Sequence, residues 1–183
     1  MKPRAGKISS PRAAIEDMRW SRSGYLTLLA ASLLWTGGFF AAPLLHGSGH
    51  DDIAIFSRLF YAPVCHQDAA RSFMLLDWPL SVCHRCSSIY LAFTAVLVAY
   101  PLLRHRPFFV SLPLSRLAIF MLPMLLDYVL DVLGVWNNGA LSRALSGSIA
   151  GAGLAVFTIP AWMEAWTARR RHHDADHREV QNE

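Results

Sequence analysis

The sequence predicts an all-α polytopic membrane protein with four transmembrane helices and an outward-facing Cys/His loop. Three observations predict it. Of 183 residues, 54% are hydrophobic and only 16% charged, against about 25% charged in an ordinary soluble domain. The charges cluster at the termini and in short connections, leaving nearly uncharged stretches of about twenty residues, the length a helix needs to cross a bilayer. Those stretches are apolar all round, where a helix on a soluble core keeps a polar face.

The elements follow in order. Residues 1–23 are polar and basic, with Lys2, Arg4, Lys7, Arg12, Arg19 and Arg22 against Glu16 and Asp17. The first span covers about 24–45 and holds Trp35 and a Gly37-Gly38 step. Its length, after so extended a basic region, argues against a cleaved signal peptide. The outer loop, 46–82, opens on a turn-forming stretch from Gly47 to Asp52. It then sets Ile53, Phe56, Leu59 and Phe60 at helical spacing, as in a short helix lying in the membrane interface. Pro63 ends that helix.

The second span, 83–103, is closed by Pro101 and the basic Arg104-His105-Arg106. The third, 114–136, bends or loosens at Pro123. Trp136-Asn137-Asn138-Gly139 forms a turn into the fourth, 141–166. There Gly147, Gly151 and Gly153 belong to a run of small residues that lets helix backbones approach closely in lipid. Arg169-Arg170-Arg171 and a polar cytoplasmic tail, 167–183, follow.

Basic residues orient the bundle. The amino terminus, the 104–116 connection and the 169–171 end are rich in Arg or Lys. Loop 46–82 has only Arg58 and Arg71, balanced by Asp51, Asp52, Asp68 and Asp77. Four crossings with both termini cytoplasmic satisfy the positive-inside rule. The cysteine loop then faces outward, to the periplasm or the cell exterior. The net charge of +4 then reads as topology signal and contact with anionic lipid, rather than as a nucleic-acid-binding surface.

All three cysteines fall in Cys65-His66 and Cys83-His84-Arg85-Cys86. Cys65, His66, Cys83 and Cys86 offer the four ligands of a tetrahedral zinc site, with His84 an alternative fourth. The same C-x-x-C, at a helix amino terminus with Arg85 between the thiols, suits a redox pair of lowered pKa. In that case a membrane quinone would take the electrons and Cys65 would resolve the disulfide. A plain Cys65–Cys83 or Cys65–Cys86 staple is the third possibility.

Asp127 and Asp131 are i and i+4 on one helix face. A carboxylate at membrane depth turns to a partner or an aqueous cavity. The pair could serve as catalytic base, proton relay or cation ligand, or could lock helices as a structural Asp–Arg pair. Arg85 and Arg143 are the matching counter-charges. Arg71 could present a guanidinium to an anionic head group. Topology brings all of these to the outer end of the bundle. The His46/His50 and His172/His173/His177 groups read as solvated.

The string Cys65-His66-Gln67, then Arg71-Ser72-Phe73, then Cys83-His84-Arg85-Cys86 with Tyr90 resembles the DUF2085 family of prokaryotic membrane proteins. Its pattern is C-H-Q, R-S-F and C-x-R-C with a following Tyr. The resemblance spans about Phe60 to Gly153 and extends to a later Asp, Arg143 and the Gly-rich helix. Since x varies in C-x-R-C, the resemblance implies His66 rather than His84 as a ligand. Where the family pattern has glycines after C-x-R-C, this chain has Ser87-Ser88. The resemblance implies the architecture and the grouping of residues, and no reaction.

The expected function is therefore an outward Cys/His metal site, with zinc as the expected cofactor, that is structural or supports hydrolysis of a lipid-type substrate. The alternatives are a thiol–disulfide oxidoreductase coupled to quinone and a non-enzymatic assembly or transport subunit. The expected partners are the lipid bilayer and a lipid or small-molecule substrate.

Overall fold

The computed structural model describes residues 21–104 and 114–181. The basic segment 1–20 and Arg106 of the 104–116 connection lie outside the described residues. Six helices are present among those described: α1 (Arg22–Gly38), α2 (Ala41–Gly47), α3 (Asp51–Tyr61), α4 (His84–Leu103), α5 (Leu114–Val132) and α6 (Ala140–Gln181). A 3-10 turn (Ala69–Arg71) and a small antiparallel hairpin, β1 (Met74–Leu75) with β2 (Trp78–Pro79), interrupt the loop between α3 and α4. Leu76 and Asp77, both at positive φ (53° and 60°), make its two-residue turn, the conformation that matches strand twist.

Among the described residues, two helices are long and apolar enough to cross a bilayer: α4, and the part of α6 from Ala140 to Arg171. The α1–α2 pair would make a third as one bent span, with 46° between its halves. The first apolar segment is thus broken where the sequence suggests one helix. At the break a Cβ on Gly38 would collide with the Tyr61 hydroxyl. That hydroxyl donates to the Trp35 carbonyl at 2.7 Å. α5 carries Arg116, Asp127 and Asp131 within its 19 residues. α4 continues through Pro101 to Leu103. α6 continues past Trp166 to Gln181, so the polar tail extends the last helix.

The central packing is α4 against α6, and glycine makes it close. A Cβ on Gly147 would stand 2.7 Å from the Arg85 carbonyl oxygen, and one on Gly151 would meet the Ile89 carbonyl. The two backbones therefore touch, as small residues permit in lipid. Ser87 and Ser88 fit the same tight region: both are buried, and both donate to the His84 carbonyl, at 3.0 and 2.7 Å.

One core cluster joins Tyr25 of α1, Leu97 and Tyr100 of α4, and Ala155, Ile159 and Met163 of α6. A second, formed by Phe39, Tyr61, Cys65, Leu80 and Val82, seats the loop on the bundle. α3 buries Ala54 and Tyr61, while Ile53, Phe56, Leu59 and Phe60 are all exposed. An apolar face turned outward in this way suits a helix lying against lipid.

Candidate functional site

The thiols meet where loop 46–82 joins α4. Cys65 follows the end of α3 and is buried; Cys83 is the residue before α4, and Cys86 lies in its first turn. The three Sγ atoms all lie within 4.8 Å of one another, and all three cysteines are free. The Cys83 backbone N–H donates to the Cys65 sulfur at 3.2 Å. Hydrogen bonds from the Cys65 thiol, and then from Cys86, hold the Cys83 thiol below its ordinary pKa. Burial opposes them, and the backbone N–H groups of Cys86 and Arg85 add to the lowering.

His66 is exposed beside Cys65 and stands outside the thiol group. His84 is also outside it. Its ring packs edge-on against Phe73 at 4.3 Å, and its Nδ1 is buried without a hydrogen bond.

Gln67 explains how the loop holds its shape. Its backbone is left-handed (φ 53°), uncommon for a residue other than glycine. Its amide donates to the carbonyls of Arg58 at 2.5 Å and Ser81 at 2.6 Å. Arg58 returns the link by donating to the carbonyls of Gln67, Pro79 and Leu80. These bonds tie the segment after Cys65 to the segment before Cys83, so the two thiol-bearing strings cannot drift apart separately.

A charged network adjoins the thiols through Arg85, which lies between Cys83 and Cys86. Its Nη2 donates to Asp127. Asp127 also accepts from Ser142, from the Asn138 side chain at 3.1 Å and from Ser146 at 3.5 Å. The guanidinium lies over the Tyr128 ring at 5.8 Å, and its Nε is buried without a partner. One turn on, Asp131 faces Arg71 at 3.7 Å and Arg143 at 4.0 Å. Arg143 donates from Nε to the Asn138 side chain at 2.6 Å. The structure thus brings Arg71, Arg85, Asp127, Asp131 and Arg143 into one network.

Local structure sets this up. Gly134 (φ 69°) ends α5 with the Val135 N–H on the Leu130 carbonyl and the Gly134 N–H on the Asp131 carbonyl. This is the paired capping pattern that needs a left-handed residue after the helix. It turns the chain back so that Asn138, 2% exposed, lies against both aspartates. Asn138, Ser142 and Ser146 were not singled out from the sequence. The i,i+4 spacing of Ser142 and Ser146 was the available signal; Asn138 was concealed in a turn motif.

The family profile described as "Predicted membrane protein (DUF2085)" matches residues 65–157. That is half the chain and includes every cysteine, aspartate and arginine of the network. The uncharacterized protein MJ1492 of Methanocaldococcus jannaschii is 27% identical over 145 residues, which cover 76% of this chain and 93% of that protein. No solved structure matches significantly. With the profile running from Cys65 across the thiol group and the charged network, the chain belongs to the DUF2085 family of predicted membrane proteins.

Proposed function

We propose that this is an integral membrane protein of four crossings whose Cys65, Cys83 and Cys86 hold a zinc ion. Both termini lie in the cytoplasm of a prokaryotic cell and loop 46–82 lies outside. The observation that carries the metal reading is the convergence of three thiols within 4.8 Å. Sulfurs in a tetrahedral site with Zn–S of about 2.3 Å are about 3.8 Å apart, so small side-chain rotations close the site. The fourth position falls to an outside oxygen ligand, or to His66 if its exposed side chain, now outside the thiol group, turns inward beside Cys65.

The surroundings favour a holding role over hydrolysis. Three thiolates donate strongly to the metal and weaken it as a Lewis acid. Asp127 is taken up by four donor groups. Asp131 sits between two guanidiniums, 3.7 Å from Arg71 and 4.0 Å from Arg143, and serves as their shared counter-charge. The zinc then fastens the loop to α4 and shapes the outward polar face. Hydrolysis of a lipid-type substrate would require the open fourth position and Asp131, the more exposed carboxylate at 18%.

The test is elemental analysis of untagged protein purified in detergent, with a parallel thiol count. About one zinc per chain, absent in Cys83→Ser, is expected. No metal, with two thiols unreactive until reductant is added, would overturn the reading.

The lowered Cys83 thiol beside two neighbouring thiols favours a second reading, a thiol–disulfide oxidoreductase. Two thiols would give two electrons and two protons to a quinone, forming one disulfide and a quinol. Mixed disulfides trapped by Cys86→Ser at normal membrane abundance would identify it.

A further inference from the structure

A cavity of about 290 Å³ lies between α1, α4 and α6, below the thiols. Ser32 and Trp35 line it from α1, Tyr90 and Phe93 from α4, and Leu154 and Thr158 from α6. These are the helices long and apolar enough, alone or as the bent pair, to cross a bilayer. Each of the six residues is half-buried, so the cavity opens on the side of the bundle. At that depth only molecules dissolved in the bilayer reach such an opening.

The wall is chemically suited to hydrocarbon. Thr94 donates to the Tyr90 carbonyl at 2.8 Å. Its single hydroxyl hydrogen is thereby used, so Ser32 (2.7 Å) and Thr36 (2.8 Å) must donate to Thr94. Two of the cavity's hydroxyls therefore turn their hydrogens into the wall. What faces the space is largely aliphatic and aromatic, with a few polar points, as in binding pockets for apolar ligands. Trp35 and Tyr90 also pack against the cluster that contains the thiol-bearing loop.

We infer that this cavity seats the hydrocarbon chain of a bilayer lipid, acyl or isoprenoid. The inference rests on the bilayer-crossing reading and not on the metal. Lipids fill the surrounding solvent, so even modest affinity keeps the site occupied. The cavity also gives a lipid-type ligand of the outward site a place for its tail.

The experiment reconstitutes the full chain in vesicles of phosphatidylcholine carrying a photoreactive diazirine in one acyl chain, then maps adducts by mass spectrometry. A second arm uses a diazirine-bearing prenyl alcohol. Adducts on Phe93, Leu154 and Thr158 should exceed those on the exposed face of α5 (Ile119, Leu122, Leu126) several-fold. Leu154→Trp, which fills the cavity, should abolish the excess and leave α5 labelling unchanged. Because that variant could unfold, lipid retention by the wild type is also read by native mass spectrometry, with one lipid per chain expected. Enrichment by one probe alone supports the site and assigns its chain type. Cavity labelling no higher than on α5 overturns the inference. No labelling of either face overturns it together with the bilayer reading, and Cys83→Ser should lose zinc without losing cavity adducts.

Discussion

Asp127 shows why a single buried carboxylate carries so much of the structure. It is 9% exposed and accepts from groups on α4, the α5–α6 turn and α6. Asp127→Asn keeps the shape but leaves Arg85 as a buried, unbalanced cation. Removing one partner of a buried pair costs about 3–5 kcal/mol. A much lower thermal midpoint in detergent is expected, with partial recovery in Asp127→Leu/Arg85→Met; equal loss in the single and double variants would refute the pairing. Gln67 makes a different prediction. Gln67→Ala removes the donor to the Arg58 and Ser81 carbonyls, at about 1–3 kcal/mol. Hydrogen exchange should rise around Ser81 to Cys83 while α5 and α6 stay protected; uniform exchange across the chain would contradict a local clamp.

At the scale of elements, the α4–α6 contact depends on absent side chains. Alanine normally improves a helix over glycine by about 1 kcal/mol. At Gly151 the added Cβ would meet the Ile89 backbone, which cannot rotate away, so overpacking of about 1–3 kcal/mol should prevail. Gly37, inside α1 with nothing within 4 Å of its Cβ position, is the control. Gly37→Ala is expected to hold or raise the thermal midpoint and Gly151→Ala to lower it. Equal effects would mean that the helices are not in backbone contact. Since Gly147 meets the Arg85 carbonyl, this contact also sets the height of the C-x-x-C relative to Ser142 and Ser146.

For the whole molecule, the orientation makes the clearest claim. Single cysteines placed at Asp51 and at Arg170, in a background without native thiols, should react differently with a membrane-impermeant maleimide on intact cells. Labelling at residue 51 and protection at 170 are expected, and the reverse pattern would invert the topology. The long α6, about 60 Å from its residue count, exceeds a bilayer core and must project beyond it. Its first part packs on α4 and α5, while Trp162 and Trp166 donate to Gly24 and Ser23 of α1 at 2.9 and 3.2 Å. The start of the first helix is thereby held at the level where α6 turns polar.

Much of this was legible before any coordinates because its physical cause is local. Charge depletion and apolar runs signal a bilayer solvent. Three cysteines in two short strings signal shared chemistry. Two aspartates at i and i+4 must share a helix face whatever surrounds them. Tertiary structure alone decided the rest, because it depends on what arrives from elsewhere in the chain. At the break in the first apolar run, Tyr61, far along the sequence, puts its hydroxyl where a Gly38 side chain would be. His66, chemically as good a ligand as the cysteines, is left outside their group while Cys65 is packed inward against Val82 and Leu80. Asn138 became a partner of both aspartates only when the Gly134 cap turned the chain back onto α5. Composition and short-range spacing determined the solvent and the residue types available for chemistry; packing over long separations decided which of them meet.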